Sequence, residues 1–400
     1  MGGQGLSMPS SRETPAVAER AARLAAERSA RQKIASAGLA VVKIGSSLLT
    51  DPEAGTAHGN IRHWCGEIVA ELNRGRRVLL VSSGAVAEGV ARLGWRRPPS
   101  DLPNLQAAAA VGQMGLVGAY ESAFAEHGRH TALVLLTHED LADRRRYLNA
   151  RTTLNRLLDL GVVPVVNEND TVATDEIRFG DNDTLAALVA SLLAADALIV
   201  LTDVDGVHGA DPRTHPQAAL IAYARADDPS LDAGAGSGGE FGRGGMVTKI
   251  DAARIAARSG AHTLIIDGRR QGALGAAFGG RSVGTVLAAG VEPLVARKRW
   301  IAGQQRPKGE LVLDAGAAKA LRERGVSLLP VGVAAVRGEF SRGALVRCVN
   351  AAGELIAQGL VNYSSAEAVS ICGAASADIR SRLGYVLEPE LMHRDNLVLI

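Results

Sequence analysis

The stretch from Gly161 to Ala190 constrains the fold more than any other part of the chain. An apolar run, Val162 to Val166, interrupted by Pro164, gives way to Asn167-Glu168-Asn169-Asp170. A short loop later, Gly180-Asp181-Asn182-Asp183-Thr184 opens an apolar helical pattern. A buried-type strand that delivers polar residues and then hands over to a helix is a unit of an open α/β sheet, where ligands sit beyond the carboxyl ends of the strands. Either cluster alone also fits a turn or a helix N-cap. Two of them flanking one loop point to a site. Glu168, Asp170, Asp175, Glu176, Asp181 and Asp183 would repel one another unless cations or amines lay among them. The stretch therefore reads as a pocket for a small zwitterionic substrate.

The same pattern recurs along the chain. Apolar strands at 39–44, 78–81, 133–136, 197–201 and 264–266 alternate with helical segments such as 61–74 and 106–126. The alternation predicts an α/β domain built on an open, mostly parallel sheet sandwiched by helices. Small or polar residues follow several strands: Lys43-Ile44-Gly45-Ser46-Ser47, Ser82-Ser83-Gly84-Ala85 and Thr202-Asp203-Val204-Asp205-Gly206. Such turns serve tight packing or bring a helix N-terminus to an anion. Residues 137–143 read as a loop, and Arg144-Arg145-Arg146 opens the next helix. No GxxxxGK[ST] occurs, and no GxGxxG follows a strand, so neither a P-loop nor a dinucleotide fingerprint is present.

Lysine usage adds a second constraint. The chain has 38 Arg and 6 Lys, the lysines being Lys33, Lys43, Lys249, Lys298, Lys308 and Lys319. A lysine is a compact point charge, whereas arginine is a broad fork. Lys43 and Lys249 both stand in glycine-rich surroundings that suit a transferring phosphoryl group. Lys249 follows a Gly/Ala/Ser-rich segment, 232–239, and Gly242-Arg243-Gly244-Gly245-Met246-Val247-Thr248, which together read as a flexible lid feeding a helix.

Beyond about Glu310 the texture changes to short Val-rich strands, such as 345–349 and 354–361, with one helix at 315–324. This predicts a small β-rich C-terminal domain. The expected organisation is a mobile extension at 1–36 containing a surface helix at 16–35, a main domain at 37–295, a linker at 296–307 marked by Arg297-Lys298-Arg299-Trp300, and a final domain with its tail at 308–400. An apolar fraction of 47% supports sizeable cores, and aromatics at only 3% leave Ala, Val and Leu to fill them. The net charge of +2 argues against a general polyanion binder. Cys65, Cys348 and Cys372 lie far apart with no CxxC, which disfavours a disulfide framework or zinc site and fits a cytoplasmic location. No apolar run reaches the length of a membrane span, and no signal-peptide core is expected.

Taken together, VVKIGSSLLT (41–50), VSSGAVAEG (81–89), AAVGQMGL (109–116), LNARTTLNRLLDLGVVPVVNENDTVAT (148–174), GDNDTLAALVA (180–190), LTDVDGVHGADPR (201–213), GGMVTKIDAA (244–253) and RKRWIAG (297–303) resemble the amino acid kinase family, and within it the glutamate 5-kinases. DAGAAKAL (314–321), SLLPVGV (327–333), GEFSRGALV (338–346) and GLVNYSSAE (359–367) resemble the PUA module that this branch carries. The resemblance implies ATP-dependent phosphorylation of the side-chain carboxylate of L-glutamate to γ-glutamyl phosphate, the first step of proline biosynthesis, with ATP and Mg2+. It implies catalytic roles for Lys43 and Lys249, approaching the phosphoryl from two sides, with Asp203 orienting them. Ser83, Asp170 and Asn182 match glutamate-binding positions: Asp170 for the α-ammonium, Ser83 and Asn182 for carboxylate. Lys43, Thr202, Asp203, Arg243, Gly244, Gly245, Met246, Val247, Thr248 and Lys249 match nucleotide-binding positions. Asp181 and Asp183 are expected to shape the site or to hold Mg2+ through water. A homo-oligomer, inhibition by proline and functional coupling to a γ-glutamyl phosphate reductase are implied in the same way. Alternatives are another activity of the superfamily, on acetylglutamate, aspartate, carbamate or UMP, and RNA binding through the PUA-like domain. Arg243 and the N-terminal extension depart from the family pattern.

Overall fold

The computed structural model describes residues 15–51, 55–172, 182–212, 214–234, 245–290 and 307–400. The strands before the C-terminal region are β1 (Leu39–Ile44), β2 (Thr50–Asp51), β3 (Gly55–Thr56), β4 (Arg77–Ser82), β5 (Thr131–Leu136), β6 (Val163–Glu168), β7 (Ala197–Thr202), β8 (Tyr223–Arg225), β9 (His262–Asp267) and β10 (Thr285–Ala288). The helices are α1 (Pro15–Ala35), α2 (Ser46–Leu49), α3 (His58–Asn73), α4 (Ala85–Arg92), α5 (Leu102–Ala125), α6 (His138–Ala142), α7 (Arg144–Asp159), α8 (Asn182–Leu193), α9 (Ser230–Gly234), α10 (Met246–Arg258) and α11 (Ala273–Phe278).

Eight strands form one sheet in the order β5-β6-β4-β1-β7-β9-β10-β8, while β2 and β3 pair separately. Neighbours are parallel except β9 and β10. β1 is central: β4, β6 and β5 lie to one side of it, β7 and β9 to the other. The topology therefore switches direction at β1/β7, and the carboxyl ends flanking such a switch form a crevice.

Helices cover both faces, so β1 is buried throughout. Side chains alternate between the faces of a strand. Ala40, Val42 and Ile44 enter a core with Trp64, Ile68, Tyr120 and Phe124 of α3 and α5. Leu39 and Val41 enter the opposite core, with Leu185 and Val189 of α8 and Ile250 of α10. Lys43 has the odd parity and so shares its face with α8 and α10. Those two helices meet through small residues, Ala186, Ala187 and Ala190 against Ala252, Ala253 and Ala256, all wholly buried. Small side chains let helix axes approach closely, which brings polar groups in the first turns of both helices together.

The helix expected at 16–35 is α1, and it is more than a surface helix, since it buries Ala30 and Ile34 in the first core. Buried Arg31 donates to the carbonyls of Val283 at 2.7 Å, Ala222 at 3.2 Å, Arg281 at 3.2 Å and Gly284 at 3.3 Å. A guanidinium carries enough donors to cap several strand-end carbonyls at once, and that docks the helix. The segment 137–143 is not all loop. It contains α6, started by a capping box between Thr137 and Asp140.

The C-terminal region has its own sheet and core. β11 (Gly309–Leu313), β12 (Val333–Arg337), β13 (Leu345–Val349), β14 (Leu355–Leu360) and β15 (Leu397–Leu399) run in the order β12-β11-β13-β14-β15. Helices α12 (Ala315–Arg324) and α13 (Ser365–Ile371) pack on it. The region meets α7 through polar contacts. Arg342 donates to Asn149 and to Thr152, Thr152 donates to Glu388 at 2.7 Å, and Arg151 donates to Asn396 at 2.9 Å. Residues 1–14 and most of the expected linker, including Arg297 to Trp300, lie outside the described residues.

Candidate active site

Four chain segments bring the polar groups together at the carboxyl ends of the central strands. Lys43 comes from β1, Ser83 follows β4, Asn182 and Asp183 begin α8, and Lys249 lies in the first turn of α10. Lys43, Asp183 and Lys249 are all buried, Asp183 being 2% exposed. The Lys43 Nζ stands 2.7 Å from Asp183 Oδ1, and the Lys249 Nζ stands 3.1 Å from Oδ2. Thr248 donates to the same Oδ2 at 2.8 Å. Burial alone would raise the Asp183 carboxyl, but the charges of Lys43 and Lys249 overcome it and hold it well below the usual carboxylate range. Among the described residues of this cluster, two ammonium groups and one carboxylate sum to one positive charge in a place shielded from water, where charge acts strongly on an incoming anion.

The residue before Asp183 faces the other way along the cleft. Asn182 donates through Nδ2 to Ser83 Oγ at 3.0 Å, while its buried Oδ1 has no hydrogen-bond partner among the described residues. Gly84 holds the Ser83 turn open. It caps α4 at φ +97°, a left-handed conformation that glycine adopts without strain. That turn is braced from α5. Ser82 Oγ and Tyr120 OH lie 3.0 Å apart, and a Cβ on Gly112 would stand 1.8 Å from the Ala85 carbonyl oxygen. Gln113, next along α5, is buried and donates to the Glu168 carbonyl at 3.5 Å.

Asp170 follows β6, two residues past its end. Burial pushes its carboxyl up to about 6. A carboxylate desolvated in this way is stabilised in its charged form by a nearby cation. On the other side of β1, Thr202 ends β7 and donates to Asp203 at 3.1 Å. Gly45 N–H donates to the Leu201 carbonyl at 3.1 Å, tying the two strand ends together. Gly245 caps α10 with extended backbone and no side-chain hydrogen bond, and Thr248 turns back to the Gly245 carbonyl at 2.8 Å. Among the described residues no N-cap side chain bonds to the first N–H groups of α10, and such a helix N-terminus suits an anion.

The geometry brings Lys43, Lys249, Ser83 and Asn182 together. Among the described residues the carboxylate in contact with both lysines is Asp183, in the place expected of Asp203. Asp203 is exposed beyond β7, whereas Asp183 lies under the first turn of α8, directly over the β1 face that carries Lys43. The resemblance gave the lysine-orienting role to Asp203 and left Asp183 to shape the site or hold Mg2+ through water, and helix packing is what sets Asp183 against the lysines. Gln113 and Tyr120 were missed, since nothing separates them from helix-core residues in sequence. Met246 is half-buried and Val247 exposed at the start of α10. Arg243, Gly244 and Asp181, with Asp175, Glu176 and Gly180, lie outside the described residues. Among the described residues no group of three or more His, Cys, Asp or Glu side chains is placed to hold a metal. No helix there is long and apolar enough to cross a membrane.

The amino acid kinase family model matches residues 38–267, and the PUA domain model matches residues 309–383. A protein of Pseudomonas putida named glutamate 5-kinase is 59% identical over 371 residues, covering 92% of this chain and 100% of that relative. A protein of the same name from Methylobacillus flagellatus is 60% identical over 361 residues, covering 90% and 97%. Among solved structures, the UMP kinase of Bacillus anthracis aligns at 15% identity with a TM-score of 0.44, covering 64% of this chain and 97% of that one.

Proposed function

This chain belongs to the amino acid kinase family, among the glutamate 5-kinases that carry a C-terminal PUA domain, and from that membership we propose how its residues transfer the γ-phosphoryl group of ATP to the side-chain carboxylate of L-glutamate. The substrate carboxylate oxygen attacks the γ-phosphorus, the bond to the bridging oxygen of ADP breaks, and γ-glutamyl phosphate and ADP are the products. No group on the protein needs to become covalently attached, so positioning and charge must supply the catalysis.

The observation that carries this reading is the convergence of Lys43 and Lys249 on Asp183. Asp183 fixes both ammonium groups and cancels one of their charges. The remaining positive charge offsets that which builds on the moving phosphoryl oxygens. The uncapped N-terminus of α10, with Gly245 at its start, suits the nucleotide phosphates. Thr202 and Asp203 stand at the adjoining strand end. Mg2+ enters this reading on the phosphate oxygens of the nucleotide, as is usual for a cation that keeps most of its water.

Glutamate is divided among the remaining groups. Asp170, whose carboxyl burial pushes up to about 6, supplies the counter-charge for the α-ammonium, and that pairing favours its ionised form. Asn182 gives one of its two Nδ2 hydrogens to Ser83, which turns its open Oδ1 to accept from the same ammonium. This differs from the carboxylate role expected of Asn182 from the resemblance. Ser83 accepts from Asn182 and keeps its own hydroxyl proton to donate to a substrate carboxylate. The same reading takes 37–295 as the kinase domain and 308–400 as the PUA domain with its tail, in a cytoplasmic homo-oligomer that hands a labile acyl phosphate to a reductase.

The test is an ATP-dependent hydroxylamine trap for acyl phosphate, run with L-glutamate, N-acetylglutamate and aspartate, with ADP release followed for UMP. Hydroxamate forms with L-glutamate. Turnover of N-acetylglutamate or UMP in preference to glutamate would remove the proposal.

A further inference from the structure

A second cavity, of about 640 Å3, lies between α7 and the C-terminal segment 387–396. It is separate from the lysine cluster, and none of the groups assigned above lines it. Arg77, Arg151 and Arg156 reach it from the kinase side, and Arg394 with His393 from the PUA side. Three carboxylates also line it. Asp159 lies 3.9 Å from Arg77, and Glu388 is engaged by the Thr152 hydroxyl. Glu390 is 8% exposed, and burial with the neighbouring charge of Glu388 raises its carboxyl toward the neutral form. The four guanidinium groups outnumber the three carboxylates of the lining. Leu148, Leu193 and Leu387 supply an apolar portion of the wall.

Guanidinium forks are shaped to grip carboxylate or phosphate oxygens in pairs. Arginines contributed by two domains to one cleft suit an anion with acid groups at both ends. The volume is in the range of small-molecule sites. We propose that this cleft is a second, non-catalytic site for a small polyanion of the phosphate or carboxylate class, held by Arg156 from α7 and Arg394 from the PUA domain. Such a ligand would strengthen the seam already made by Arg342, Thr152 and Arg151.

The test uses the full chain. Inorganic pyrophosphate and citrate are titrated separately by calorimetry into wild type, the double variant Arg156→Ala/Arg394→Ala, and Asp159→Asn. At least one probe should bind wild type, and the probe that does identifies the acid class. The double variant should weaken that binding by about tenfold or more, the usual loss for charge-assisted contacts. Glutamate-dependent turnover should stay close to wild type, which separates this cleft from the active site. Asp159→Asn, which removes a carboxylate from the lip, should tighten binding, and it covers the case in which the double variant does not fold. Binding of neither small anion to wild type, equal affinity in wild type and the double variant, or no tightening by Asp159→Asn would overturn the proposal.

Discussion

The Nζ of Lys43, on the central strand, stands 2.7 Å from Oδ1 of Asp183 in the first turn of α8. The other oxygen of that carboxylate holds Lys249. One buried acid therefore sets the spacing of two cations that are remote in sequence.

Asp183→Asn should be strongly destabilising, because it leaves two buried ammonium groups without their counter-charge. The expected loss is about 3–5 kcal/mol, read from denaturant unfolding at neutral pH, together with a large fall in kcat. The folded pKa of Asp183 is depressed. Its contribution is therefore whole above the unfolded value, near about 4, and is lost as pH falls through the folded value. The stability gap between wild type and variant should close in acid. A gap that stays constant down to acid unfolding would contradict the role given to this carboxylate.

Lys249→Arg keeps the charge but replaces a point with a fork. The site beside Asp183 is buried and already shared with Thr248. Most turnover should be lost while glutamate still binds. Steady-state kinetics with calorimetric glutamate binding check this, and a near wild-type kcat would refute it.

Asp170 carries the opposite sign of pH effect. Its folded pKa is raised to about 6, so the free protein loses stability as pH rises from the unfolded value through that point. Asp170→Asn should leave the free protein at pH 7.5 at least as stable as wild type. It should also raise the KM for glutamate with little change in that for ATP. In wild type, kcat/KM for glutamate should fall as pH drops below about 6, because the ammonium needs the ionised acid. That limb should be missing in the variant. Weaker ATP binding with an unchanged glutamate KM would reverse the placement of the two pockets.

Arg31→Ala tests the docking of α1. The substitution leaves the carbonyls of Ala222, Arg281, Val283 and Gly284 without their shared donor. A loss of about 2–4 kcal/mol is expected from unsatisfied buried acceptors, with faster proteolysis within 15–35. A melting temperature equal to wild type would mean the helix is held by Ala30 and Ile34 alone.

The sequence by itself determined the layered architecture and the chemistry on offer. Apolar runs of strand length ending in Lys43, Ser83, Asn167–Asp170 and Thr202 could lie only in a buried sheet with a polar edge, since unpaired backbone and charge are both costly in a core. Scarce lysines in an arginine-rich chain marked Lys43 and Lys249 for the same reason of charge shape. Which acid joins them was decided by tertiary structure. Strand parity turns Lys43 toward α8, and alanine-lined packing brings α10 close enough for Lys249 to reach the far oxygen of Asp183. The destination of Asn182 Nδ2, the bracing of the Ser83 turn by α5, the docking of α1 and the arginine-lined cleft beside α7 also depend on residues distant in sequence. Spacing along the chain carries the period of a strand or helix, but distances between elements are fixed only when their side chains pack.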